Sequence, residues 1–152
     1  MSIKEKILND LKAAMKAKEA DRLRVLRSLK AKILEKEISE RKGGEAEITD
    51  EQAVEVLMKA AKQRKESIDQ FEKGGRTDLV EKEEEELKII ESYLPEMMDD
   101  DAIREAVKQQ IDQMGASSMA DMGQVMGVMM SKLKGKADGS AVSRIVKEEL
   151  SK

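Results

Sequence analysis

Proline occurs once in this chain, at position 95, and apolar residues recur at helical spacing on both sides of it. A 3.6-residue period sustained over so much of a sequence restricts it to packed helices, and strand-like alternation occurs nowhere. Proline forbids helical geometry at the preceding residue and lacks an amide proton, so Pro95 stops a helix at Leu94 and marks a domain boundary. The pattern predicts an all-α chain. A four-helix N-terminal domain over residues 1–94 precedes a smaller three-helix C-terminal domain over 95–152.

Local signals place the helices. Ser2-Ile3-Lys4-Glu5 is a capping box, followed by Ile3, Ile7, Leu11 and Ala14 on one face. Asp21 is the expected N-cap of a second helix running to about Arg41, with Val25, Leu26, Leu29 and Ile33 inward and Lys42-Gly43-Gly44 at its end. Thr49-Asp50-Glu51-Gln52 caps a long third helix bearing Val54, Leu57, Ala61, Ile68 and Phe71, closed by Gly74-Gly75. A fourth starts at Thr77 or Asp78 and carries Leu79, Leu87 and Ile90. Beyond Pro95, Asp99 to Asp101 open a fifth with Ile103, Val107, Ile111 and Met114, ended by Gly115. Ser118 to Asp121 open a sixth with Met122, Val125, Met126, Met129 and Leu133, and Asp138 caps the last, with Val142, Ile145, Val146 and Leu150.

Composition narrows the chemistry. With 40% charged and 39% apolar residues, only the periodicity argues against disorder. The chain has no His, Cys or Trp, which removes thiolate catalysis, disulfides and cysteine-ligated metal, and fits a reducing cytoplasm. The start MSIKEKILNDLKAAM has no apolar core of a secretory signal, and no apolar run nears the roughly 20 residues that span a bilayer. No phosphate loop, dinucleotide fingerprint or nucleophile elbow is present. Ser117, Ser118, Ser140 and Ser143 have no His to activate them, and Ser131 beside Lys132 diverges from it on a helix. No catalytic residue, cofactor or metal is expected.

The tail from Met119 to Leu150 offers the clearest candidate surface. Lys132, Lys134 and Lys136 surround Gly135, and Arg144 and Lys147 follow on the next helix. These cations can neutralise phosphates, while Gly135 and Gly139 let backbone amides approach them. Against this stands a simple solvated turn between helices. Gly123 and Gly127 form a small-xxx-small pair whose expected role is close approach of another helix. The methionines Met114, Met119, Met122, Met126, Met129 and Met130 are expected to fill a small core, with Met97 and Met98 packing at the hinge.

Three further clusters lie in the N-terminal part. Arg24, Arg27, Lys30 and Lys32 form a basic face suited to solvent or a docked partner. Arg64 and Glu83 interrupt apolar stripes and are expected to pair across a seam, so that a charge swap restores stability. Glu83 to Glu86 point in different directions on a helix, which predicts a solvated face rather than a cation site.

Three segments together resemble the YqeY-like family: LRVLRSLKAKILEKEI (Leu23 to Ile38), KQRKESIDQFEKGGRTDLVEKEEEELKIIESYLP (Lys62 to Pro95) and DMGQVMGVMMSKLKGKADGSAVSRIVKEEL (Asp121 to Leu150). The C-terminal part of that family is similar to the tail domain of the GatB component of the aspartyl/glutamyl-tRNA amidotransferase, which contacts the tRNA body while other domains perform the chemistry. DMGQVMGVMM keeps the glycine spacing of the tail and GKADG its turn, while Ser131 stands where proline is common. The resemblance implies a helical two-part fold and a tRNA connection. It also implies a family association with carbon–nitrogen ligase activity using glutamine as amido-nitrogen donor. That chemistry belongs to the larger enzyme, whose glutaminase component and kinase-like cradle domain this chain lacks.

The resulting expectation is a cytoplasmic, non-catalytic accessory module. Its C-terminal domain would bind tRNA or another structured RNA through Lys132, Lys134, Gly135, Lys136, Gly139, Arg144 and Lys147. The alternative is a protein-interaction adaptor that makes no RNA contact, with its long N-terminal helices or a Met-rich groove as the docking surface.

Overall fold

In a computed structural model the chain is described at residues 1–41, 44 and 47–152. Among the described residues it is all-α. The helices are α1 (Ile3–Ala17), α2 (Ala20–Ser39), α3 (Asp50–Lys73), α4 (Thr77–Glu91), α5 (Asp100–Met114), α6 (Met122–Lys132) and α7 (Gly139–Leu150). A 3-10 turn, Met119–Asp121, leads into α6. The chain divides into two compact units, Met1–Leu94 and Pro95–Lys152.

Side-chain caps set most of the helix starts. Ser2 and Thr49 form reciprocal capping boxes with Glu5 and Gln52. Asp99 and Asp138 accept amides of the first turns of α5 and α7. Asp21 is not a cap. The α1–α2 connection is too tight for one: Lys18 adopts φ 57°, and the Glu19 amide bonds back to the Ala14 carbonyl at 3.1 Å. α2 therefore begins at Ala20, and Asp21 sits in its first turn, where a negative charge still favours the helix dipole. The helix ends at Ser39, before Arg41; Lys42 and Gly43, expected at its end, lie outside the described residues. α4 ends at Glu91, and Ser92 bonds the Ile89 carbonyl at 2.6 Å ahead of Pro95.

In the first unit, α1 packs on α2 and α3 on α4 as two hairpins. Ile7, Leu26, Leu29, Leu57 and Ile90 are almost wholly buried in its core. Each such side chain contributes about 1.5–3 kcal/mol by leaving water. Ile68 and Phe71, expected on the apolar stripe of α3, are only half-buried. The inward face of α4 is Val80, Glu86 and Ile90, with Leu79 and Leu87 half-buried beside it.

Two carboxylates are therefore internal, contrary to a fully solvated acidic run. Glu86 accepts from Arg24 at 2.7 Å and pairs with Arg64 at 2.7 Å, while Arg64 also reaches Glu83 at 3.0 Å. The expected Arg64–Glu83 pair is present, but as part of a four-residue cluster. Glu37 accepts from the Lys4 ammonium at 2.8 Å and the Ile48 amide at 3.1 Å. The hydrogen bond from Lys4 holds its carboxyl below the usual range, against the opposing effect of burial.

The second unit has a separate core of Ile103, Val107, Val125, Met129, Ile145 and Val146. Met114, Met122 and Met126 pack partly buried against it, whereas Met119 and Met130 are exposed. Met98 packs on this same core. No helix of the described residues is long and apolar enough to cross a membrane.

Candidate nucleic-acid interface

The α6–α7 connection alternates inward and outward side chains. Leu133 and Ala137 are buried, while Lys132, Lys134 and Lys136 are exposed. The turn closes on the Leu133 carbonyl, which accepts the Lys136 and Ala137 amides at 2.9 and 3.1 Å. Gly135 adopts φ 74°, a left-handed conformation that side-chain-bearing residues resist. The Lys136 carbonyl in turn accepts the Met98 amide at 2.9 Å.

The seven expected contact residues divide by environment. The Lys132 ammonium donates to the side-chain oxygen of buried Gln110, a neutral acceptor that positions the group and leaves its charge uncompensated. Lys136 and Lys147 are exposed, with no carboxylate of the described residues at ion-pair distance. Arg144 is engaged: it meets Asp100 at 2.7 Å and Glu148 at 3.3 Å. The Asp100 bond raises its already high pKa further. It fastens α7 to the start of α5 instead of standing with the exposed lysines. Gly139 is half-buried beside Met130, whose Sδ and Cε lie 3.8 Å from where a Cβ would be.

Gly123 and Gly127 do not receive another helix. Both are exposed, and a Cβ added to either meets nothing within 4 Å. They lie one turn apart on the outer face of α6, and Met130, 38% exposed, continues that face toward Gly139. The outer surface thus runs from bare helix backbone, over a thioether, to the lysine-bearing turn.

Sequence reasoning missed Gln110, a polar residue on the buried stripe of α5, and the network behind Arg144. Arg104 pairs with Glu148 and Glu149 at 2.6 Å each, and Lys152 joins Glu149 at 2.8 Å. These partners are 44 and 45 residues apart for Arg104, so no local spacing announces them. They engage both acids of α7, Glu148 and Glu149. No group of three or more His, Cys, Asp or Glu able to hold a metal ion occurs among the described residues.

In the N-terminal unit, Arg24 is taken by Glu86 at 2.7 Å and Asp21 at 3.5 Å, and Lys32 donates to Gln63 at 3.0 Å. Arg27 and Lys30 remain exposed, with no carboxylate of the described residues at ion-pair distance.

Comparison with known proteins gives a match over almost the entire chain. A family model described as Yqey-like protein covers residues 4–150. The chain is similar to Altered inheritance of mitochondria protein 41, mitochondrial, of Pyrenophora tritici-repentis, with 32% identity over 142 residues, covering 91% of this chain and 76% of the relative. The protein of the same name in Eremothecium gossypii is 41% identical over 85 residues, 56% of this chain and 45% of the relative. That of Vanderwaltozyma polyspora is 32% identical over 136 residues, 89% of this chain and 69% of the relative.

Proposed function

The chain belongs to the YqeY-like family, and from that premise we propose that its C-terminal unit is a non-catalytic, tail-like docking module for structured RNA, tRNA in the first instance. One observation carries the reading. Two glycines inside α6 face open space, on a surface that continues into a turn with three exposed lysines.

Glycine in a helix interior costs about 1 kcal/mol relative to alanine. No internal neighbour accounts for that cost at Gly127, and none fills the space at Gly123 in the first turn of α6. A sugar–phosphate backbone can approach bare helix closely, and Lys132, Lys136 and Lys147 then neutralise its phosphates. Gly135 gives the turn its shape, and Arg144 contributes by holding α7 against α5. Phe71 and Tyr93, the chain's aromatics, belong to the other unit, so recognition is by shape and charge instead of base stacking. Amide transfer is left to the larger enzyme. A cytoplasmic address belongs to the same proposal; the relatives above carry "mitochondrial" in their names, and imaging of the tagged chain decides between the two locations.

The test is a tRNA titration by fluorescence anisotropy at several salt concentrations. With about three phosphate contacts, log K falls against log salt with a slope of about −3. Lys136→Glu combined with Lys147→Glu lowers affinity about tenfold or more at low salt, with unchanged helicity. Salt-independent binding, or affinity indifferent to the charge reversal, removes the proposal.

A further inference from the structure

The N-terminal unit carries a second surface with a different chemistry. Lys4 of α1 meets Glu37 of α2 at 2.8 Å, and Asp10 meets Arg22 at 3.7 Å, so the two helices run antiparallel. One side of this hairpin supplies Leu26 and Leu29 to the core, to which Ile7, Leu11 and Ile33 also belong. Ile7, Leu11 and Ile33 also line a groove of about 540 Å³, together with Leu8, Met15 and Leu34.

Ile7, Leu11 and Ile33 in this groove are buried, whereas its flanks are open to water. Met15 is 52% and Leu34 50% exposed, and Ile38, one turn beyond Leu34, is 53% exposed. These are half of the six large apolar side chains left exposed among the described residues, gathered on one hairpin. Scattered single apolar residues need no explanation, but Met15 and Leu34 line one groove and so mark a contact surface. From Lys30 to Ile38 the wall of α2 rises about 12 Å, enough for two turns of a docked helix.

The rim is cationic. Lys4, Lys12 and Lys30 line it, and its one acid, Glu37, is buried and already neutralised by Lys4. Lys12 and Lys30 are exposed, with no carboxylate of the described residues at ion-pair distance.

We propose that this groove receives an amphipathic helix of a partner protein, with apolar anchors at i, i+3 or i+4 and i+7 seated between Leu8, Met15 and Leu34, and acidic flanks facing Lys12 and Lys30. Helix-in-groove recognition reads this pattern of anchors. Met15 suits the role because a flexible thioether repacks around an incoming side chain. RNA is a poorer occupant, since the floor is aliphatic and offers no aromatic ring for a base. A second copy is also disfavoured: an isologous contact sets the lysine rim against itself. A bilayer needs projecting apolar groups, and this surface is concave.

The probe is a designed peptide of about 18 residues, five helical turns, with leucine anchors and glutamate flanks, alongside the same peptide with lysine flanks. Binding to the full chain is followed by the methionine methyl resonances, Met15 being assigned with Met15→Leu. The glutamate peptide shifts the Met15 methyl, and Lys12→Glu with Lys30→Glu weakens it about tenfold or more while favouring the lysine peptide. Leu34→Ser, at an exposed position, weakens both. The proposal is overturned if Met15 does not respond, or if the two peptides bind alike. It is overturned equally if Leu34→Ser abolishes self-association, which assigns the groove to a second copy, or if the Lys12/Lys30 reversal abolishes tRNA binding, which assigns the rim to RNA.

Discussion

Arg64 of α3 and Glu86 of α4 form an ion pair at 2.7 Å, with the carboxylate side chain only 6% exposed. Arg24 of α2 reaches the other oxygen of the same carboxylate, also at 2.7 Å. One buried acid thus joins three helices, and its hydrogen bond is the main reason the Arg24 pKa is raised. Burying a charge is tolerated when it is paired and hydrogen-bonded, and removing one partner leaves the others uncompensated.

Glu86→Ala is expected to destabilise the first unit by about 3 kcal/mol, read from urea denaturation. Exchanging Arg64 and Glu83 does not restore stability, because a carboxylate at position 64 would face Glu86. Full recovery in that double variant would show that Glu86 is a bystander.

The chain's one tyrosine allows a clean optical titration. Burial, reinforced by its hydrogen bond to Asp10, pushes the Tyr93 hydroxyl up to about 12 from an ordinary value of 10.0. A raised acid pKa means the neutral form is favoured in the folded state. The corresponding stability is complete below pH 10.0 and is lost as pH rises toward about 12. Absorbance at the phenolate band should show a native midpoint near 12 and one near 10.0 in denaturant. Asp10→Asn moves the native midpoint down by weakening the hydrogen-bonding and charge effects.

Gly123→Ala and Gly127→Ala each place a methyl group in open space on a helix. Gly127→Ala is expected to raise thermal stability by about 0.5–1 kcal/mol through helix propensity alone, and Gly123→Ala, in the first turn of α6, by less. If the bare backbone meets RNA, the stabilised double variant binds tRNA more weakly than the parent. Greater stability with undiminished binding would show that the glycines serve no contact.

Adjacent methionines offer a contrast. Met129 is 1% exposed and Met130 38%. Met129→Ala opens a core cavity and should cost about 3 kcal/mol, whereas Met130→Ala should cost under about 0.5 kcal/mol. Thermal unfolding of the two variants measures the difference.

Much of the fold was legible because it is local. Ile7, Leu11 and Ala14 repeat at helical spacing and are buried as that spacing implies. Ser2, Thr49, Asp99 and Asp138 cap their helices because a short polar side chain can reach amides two or three residues on. Asp21 misled because the two-residue connection before α2 leaves no extended cap position. Glu86 looked solvated within a run of four glutamates, since only packing reveals which of them turns inward. The candidate interface was legible as a run of lysines. The engagement of Arg144 was not, for it depends on Asp100, 44 residues away.

The amide of Met98, three residues past the proline, holds the carbonyl of Lys136 at 2.9 Å. A fragment trimmed to start at the α5 cap would forfeit that donor. Its lysine loop would then sample many shapes and lose entropy on meeting a ligand, so a shortened C-terminal piece would understate the affinity of the intact molecule.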